Sequence, residues 1–189
     1  QLMGISYQLA FKEGGRKNGE IRREVLGVAK QLRRLIGELR PAGLEELGLT
    51  AALEGYVAHL QREGGSDVPK IRLNLDASGS ALSEPVAICL FRVAQEGLRN
   101  ALKHARAGQV TLRLRLLDGE AVLSVHDDGR GFHVPSRLST LTQADHFGLV
   151  GMAERVSWAG GQFDVRSQPG VGTEVTVRIP LNEKERGDD

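Results

Sequence analysis

The sequence has one cysteine, Cys89, so no disulfide can close within the chain, and this usage fits a reducing compartment. Cys89 lies inside an apolar helical pattern, where it reads as a small buried hydrophobe. The chain also lacks an excess of either charge: 25 Lys+Arg stand against 24 Asp+Glu, for a net charge of +1. A nucleic-acid partner calls for a basic excess or stripe, and neither is present. The basic residues of IRREVLGVAKQLRRL form the outer face of an amphipathic helix. No apolar run approaches the roughly 20 residues of a membrane span, and no signal peptide is present. The expectation is a cytoplasmic piece without membrane contact. There is no initiator Met: Gln1 runs directly into a helical pattern, as expected of a fragment of a longer sensor. What is present, 189 residues with 40% hydrophobic content, can form the core of one domain plus an appendage.

Apolar spacing then divides the chain. Leu2, Ile5 and Leu9 share a helical face, GGRKNG interrupts it, and Val25, Val28, Leu32, Leu35, Ile36 and Leu39 resume it until Pro41. Such a hairpin, residues 1–42, buries too little alone and is expected to dimerise as a bundle. Residues 43–182 carry the larger domain, and 183–189 form a solvated tail. Within it a helix is expected from Leu49 to Glu63, then a strand in KIRLNLD. A long helix should run from a cap at Ser83 to about Ala105. Two alternating strands follow around an Asp118-Gly119 turn. After a loop from Asp128 to Phe147 come a helix over Gly148 to Ala159 and two strands joined by QPGVG. Mixed strands and helices predict an α+β fold: a two-layer α/β sandwich whose mixed sheet is covered by helices on one face, preceded by the helical hairpin.

Four motifs carry chemistry. In FRVAQEGLRNALKHA, steps of about 100° per residue put Glu96, Asn100 and Lys103 along one stripe, beside the apolar stripe of Val86, Leu90, Val93, Gly97 and Ala101. An amide oxygen suits a hydrated, phosphate-bound Mg²⁺, and lysine gives phosphate a point charge. In HDDGRGF a carboxylate at a strand end precedes Gly129 and Gly131, which let a flat ring approach the backbone; an ionised Asp complements an amino group because it only accepts hydrogen bonds. In FGLVGMAERV, Gly148 and Gly151 open a helix whose N–H groups suit phosphate, and the loop before it suits a lid. In PGVGTEVTVRIP, Gly170, Gly172 and Thr173 lead into the last strand. Each motif alone also fits an ordinary solvated face, turn or helix start.

Taken in order, the four resemble the N box and three G boxes of the ATP-binding domain shared by histidine kinases, gyrase-type topoisomerases, Hsp90 chaperones and mismatch-repair ATPases, over roughly Ser66 to Leu181. The resemblance implies ATP and Mg²⁺ as ligands. Glu96 would be the catalytic acid of the N box and Asn100 the metal ligand, with Lys103 and His104 near the phosphates. Asp127 would bind the adenine amino group, Gly129 and Gly131 would line the base, and Gly148, Leu149, Gly151 and Met152 would form the lid end. Thr173 would back the adenine pocket. QEGLRNALKHA and LRPAGLEELGLTAAL look more narrowly like sensor kinases that pair with LuxR/NarL-type response regulators. The hairpin would then be the dimerisation and phosphotransfer domain of a homodimer.

That family has its phosphate-accepting histidine in a His-Asp pair on the first hairpin helix, and QLMGISYQLAF resembles the stretch just beyond it. The acceptor is therefore expected upstream of Gln1, and none of His59, His104, His126, His133 and His146 replaces it. Asp128 departs from the family's frequent Asn. Beside Asp127 it should repel, raising one of the two pKa values. Two alternatives remain: an anti-sigma-type protein-serine kinase on the same fold, and a non-catalytic dimerisation module with a degenerate pocket.

Overall fold

The computed structural model describes residues 44–65, 68–76, 82–134 and 147–182. The expected hairpin over 1–42, loop residues 135–146 of the expected lid, and the tail lie outside the described residues. The elements are α1 (Leu44–Gly64), β1 (Lys70–Leu75), α2 (Glu84–Asn100) with a π-helical turn (Ala101–Ala105), β2 (Gln109–Leu117), β3 (Glu120–Asp127), α3 (Phe147–Trp158), β4 (Gln162–Gln168) and β5 (Gly172–Pro180). Among them no helix is long and apolar enough to cross a membrane.

The strands form one sheet in the order β1-β2-β3-β5-β4. β1 runs parallel to β2, a pairing that needs a crossover, which α2 supplies. All other pairs are antiparallel. Between β2 and β3, Asp118 and Gly119 have φ of 52° and 73°, the two positive values a type I′ hairpin turn requires.

Period-two alternation sorts the sheet into two faces. Leu114, Leu123, Val177 and Phe163 form one cross-strand row, and Leu112, Val125, Val175 and Val165 form the next. The row beyond them on the same face is Val110, Asp127, Thr173 and Ser167. The apolar face therefore ends in a polar margin, and that margin is where the site lies. On the opposite face the corresponding rows are polar, for example Arg113, Ser124, Thr176 and Asp164. The helices cover the apolar face, with α2 against β3 and β5, α3 against β4, and α1 against β1. This is the expected two-layer arrangement.

All five residues of the expected α2 stripe are buried. Leu90 and Val93 meet Leu53 of α1, Met152 and Val156 of α3, and Leu112, Leu123 and Val177 of the sheet in one core. Each such fully buried aliphatic side chain contributes about 1.5–3 kcal/mol relative to exposure. Tyr56 and Phe91 add an edge contact between α1 and α2, with ring centroids 5.8 Å apart at 63°. Cys89 is buried as expected, and burial pushes its thiol up to about 11.

Two elements differ from expectation. α1 begins at Leu44 and is kinked at Gly48 (φ 78°, ψ 175°), so a short segment precedes the expected helix. The long helix is α-helical only to Asn100, and Ala101–Ala105 is a π-helical turn ending at Arg106 in the left-handed region (φ 52°). Residues in a π turn rotate less per step than in an α-helix, so Lys103 leaves the straight stripe of Glu96 and Asn100.

Candidate functional site

The polar margin of the sheet is organised around Asp127. β3 is the central strand, and Asp127, its last residue, pairs with Val110 on one side and Thr173 on the other. Only 7% of it is exposed. The Gly129 N–H donates to its Oδ1 at 2.9 Å, and the Thr173 N–H also donates to the carboxylate. Burial raises the Asp127 pKa above the ordinary carboxylate value. The N–H groups of Gly129 and Thr173 and the nearby His126 oppose this, and Asp128 adds a small push upward.

Asp128 does not share the site with Asp127. It turns back to accept the N–H groups of Gly108 and Gln109 at 2.8 and 2.9 Å, which fixes the entry to β2. Its own N–H donates to Gln109 O at 3.2 Å. The repulsion expected of two adjacent acids is thus relieved by direction, since the Asp128 carboxylate turns to the N–H groups of Gly108 and Gln109.

The loop after β3 is held against both of its neighbours. Arg130 N–H donates to Ala105 O at 2.8 Å, and Gly170 N–H donates to Arg130 O at 2.7 Å. Gly129 packs on the backbone of Ala105, where a side chain would collide. Gly131 has φ of 56°, and a Cβ there would run into Gln168 O. Both glycines are therefore required by close approach and backbone conformation.

A second group converges at the end of α2. Glu96 and Asn100 face the start of α3: a Cβ on Gly148 would collide with Glu96 Oε1 and lie 3.4 Å from Asn100 Nδ2. Glu96 Oε2 lies 3.6 Å from Arg99 Nη1, a half-exposed pair that contributes little stability. A Cβ on Gly151 meets nothing within 4 Å among the described residues, so packing there does not account for that glycine. Lys103 and His104 are exposed on the π turn, while Leu149 and Met152 are buried in the core at 5% and 2% exposure. The structure thus brings Glu96, Asn100 and Gly148 together, and separately Asp127, Gly129, Gly131 and Thr173. The π turn, which ends at Ala105, bridges the two groups.

Sequence reasoning missed Ser167. Its Oγ accepts Phe132 N–H at 2.9 Å, donates to Gly172 O at 3.0 Å and lies 2.9 Å from Thr173 Oγ1. The signal was available in the alternation of QFDVRS, which puts Ser167 on the face of Phe163 and Val165.

A buried carboxylate at a sheet margin, glycines that admit a flat group, and an acid–amide pair facing a glycine-opened helix fit a nucleotide. A family model of histidine kinase-, DNA gyrase B- and HSP90-like ATPases matches residues 86–183, just over half of the chain. The chain belongs to this ATPase family. Over 179 residues the chain is 37% identical to the signal transduction histidine-protein kinase/phosphatase UhpB of Salmonella typhimurium, covering 94% of this chain and 34% of that protein. It is 33% identical over 181 residues to the signal transduction histidine-protein kinase/phosphatase DegS of Brevibacillus brevis, covering 96% of this chain and 45% of that one. The chain therefore spans less than half the length of these relatives. Among solved structures, the histidine kinase domain of the blue-light activated histidine kinase EL346 from Erythrobacter litoralis superposes with a TM-score of 0.59 at 27% identity, covering 72% of this chain and 63% of that one. Family and fold thus agree with the expectation from the motifs, and the likeness is to the histidine-kinase branch.

Proposed function

We propose that this chain is the catalytic, ATP-binding portion of a two-component sensor histidine kinase, which passes the γ-phosphoryl group of ATP to a histidine for relay to a response-regulator aspartate. The observation that carries this is the pairing of two sites on one fold: the buried Asp127 carboxylate at the sheet margin and the Glu96–Asn100–Gly148 meeting point at the end of α2. Asp127 would accept from the adenine amino group, with Gly129 and Gly131 against the ring and Thr173 behind it. Asn100 would hold Mg²⁺ through its amide oxygen, and Glu96 would orient the reacting end. Lys103 and His104, exposed on the π turn, would draw the phosphates by charge. Gly148 and Gly151, with Leu149 and Met152 anchoring their helix in the core, would present backbone N–H groups. A bound Mg²⁺ neutralises phosphate charge, and the remaining task of the protein is positioning.

None of the four described histidines is a suitable acceptor. His59 pairs with Glu63 on the exposed face of α1, and His104, His126 and His133 surround the nucleotide loops. Residues 1–42 hold no histidine, which agrees with an acceptor elsewhere in the longer protein; their apolar spacing supports a homodimer, and the LRPAGLEELGLTAAL wording supports a LuxR/NarL-type regulator as partner. The test is to incubate the full-length protein that contains this chain with γ-labelled ATP. Label that is acid-labile, base-stable and lost with Asn100→Ala is expected. Acid-stable label would instead indicate a serine kinase.

A further inference from the structure

Ser167 lies on β4 opposite Thr173 and makes three contacts with a single hydroxyl. A hydroxyl has one proton to donate and two lone pairs to accept with. Phe132 N–H can only donate, so it uses one lone pair. Gly172 O can only accept, so it takes the proton. The contact with Thr173 Oγ1, at 2.9 Å, is then satisfied in one way only: Thr173 donates its own proton to Ser167. With that proton committed, Thr173 Oγ1 offers only lone pairs to whatever occupies the margin beside Asp127. The ionised Asp127 carboxylate likewise only accepts. Two adjacent groups on one face, paired in register across β3 and β5, thus present acceptors alone.

We infer that Ser167 is a positioning residue that sets base specificity: by fixing the Thr173 hydroxyl as an acceptor, it makes the pocket favour a purine with an amino group at position 6 over one with an oxo group there. This rests on the nucleotide-site assignment above. A 6-oxo oxygen facing this margin would meet acceptors on both sides, directly or through a water that both groups orient. Sites that discriminate by leaving a buried polar group unpaired do so far more strongly than sites that discriminate by shape.

The probes are ATP, ITP and 6-methoxypurine riboside triphosphate. ITP differs from ATP at position 6 (oxo for amino) and at N1 (N–H for acceptor), whereas the methoxy analogue carries oxygen at position 6 but keeps N1 an acceptor. Each is titrated calorimetrically into the unmodified chain, Ser167→Ala, Ser167→Thr and Thr173→Val. The unmodified chain should bind ATP at least ten-fold more tightly than either analogue. Ser167→Ala should narrow both ratios several-fold, because the freed Thr173 hydroxyl can turn and donate to the position-6 oxygen, whereas Ser167→Thr should keep them. General loosening of the pocket would weaken all three nucleotides alike and leave the ratios unchanged. Thr173→Val, close to isosteric, should narrow the ratios even if Ser167→Ala does not fold. In the Thr173→Val background, Ser167→Ala should change the ratios no further. Unchanged ratios in Thr173→Val or in folded Ser167→Ala, or a narrowing confined to ITP, overturn the inference. Failure of the unmodified chain to bind any of the three would overturn the site assignment instead.

Discussion

Asp127 is held where its function and its stability oppose each other. Burial raises its pKa above the ordinary value, so the folded state binds the carboxyl proton more tightly than the unfolded state does. The stability linked to that proton is fully present below the unfolded pKa and is lost as pH rises through the folded pKa. At neutral pH the ionised group therefore costs stability. Asp127→Asn, which keeps an acceptor for Gly129 N–H, is expected to melt higher than the unmodified protein at pH 7 while losing ATP binding. The gap should close as pH falls through the folded pKa. Thermal melts across that range check it, and a variant that melts lower at pH 7 would refute the burial argument. Gly148 gives a second prediction. A methyl group there collides with Glu96 Oε1, so Gly148→Ala should displace the carboxylate and weaken Mg²⁺-dependent nucleotide binding about ten-fold, or ~1.4 kcal/mol. Unchanged affinity by titration would mean Glu96 is not held against α3. Asp127 and both glycines after it were legible in the sequence because their types suit the chemistry at adjacent positions. For Ser167 only the face was legible, from the alternation of QFDVRS; its role was not, because it arises from pairing across a turn.

Elements were legible where one period decided them. The alternation of β2, β3 and β5 and the 3.6-residue stripe of α2 give the two layers directly. The π turn was not legible, since ALKHA satisfies an α-helical pattern equally well, and Lys103 was consequently assigned to a straight stripe that the backbone does not follow. The layers approach closely at Gly97, whose added Cβ would lie 3.0–3.3 Å from the Val125 side chain. Because α2 carries Glu96 and Asn100 and β3 carries Asp127, this contact sets the spacing of the two halves of the site. Gly97→Ala should overpack it at a cost of about 1–3 kcal/mol, lowering the melting temperature by roughly 3–10 °C. A melting temperature within 1 °C of the unmodified value (an order-of-magnitude threshold, ~0.3 kcal/mol) would show that the layers have slack.

At the scale of the molecule, a sheet with one covered face leaves its apolar rows to end in a polar margin, and α2 delivers the acid–amide pair to that end. The family match over residues 86–183 spans α2 through β5, the elements that build both halves. The central claim is that these halves form one Mg²⁺-ATP site, and calorimetric titration with a non-hydrolysable ATP analogue, with and without Mg²⁺, tests it most directly. Saturable binding is predicted, weakened at least about ten-fold by Asp127→Ala, as loss of a charge-assisted hydrogen bond of ~1.5–3 kcal/mol requires. Asn100→Ala should keep residual binding but lose its Mg²⁺ dependence. Binding that is indifferent to Asp127→Ala, or Mg²⁺ dependence that survives Asn100→Ala, would contradict the account.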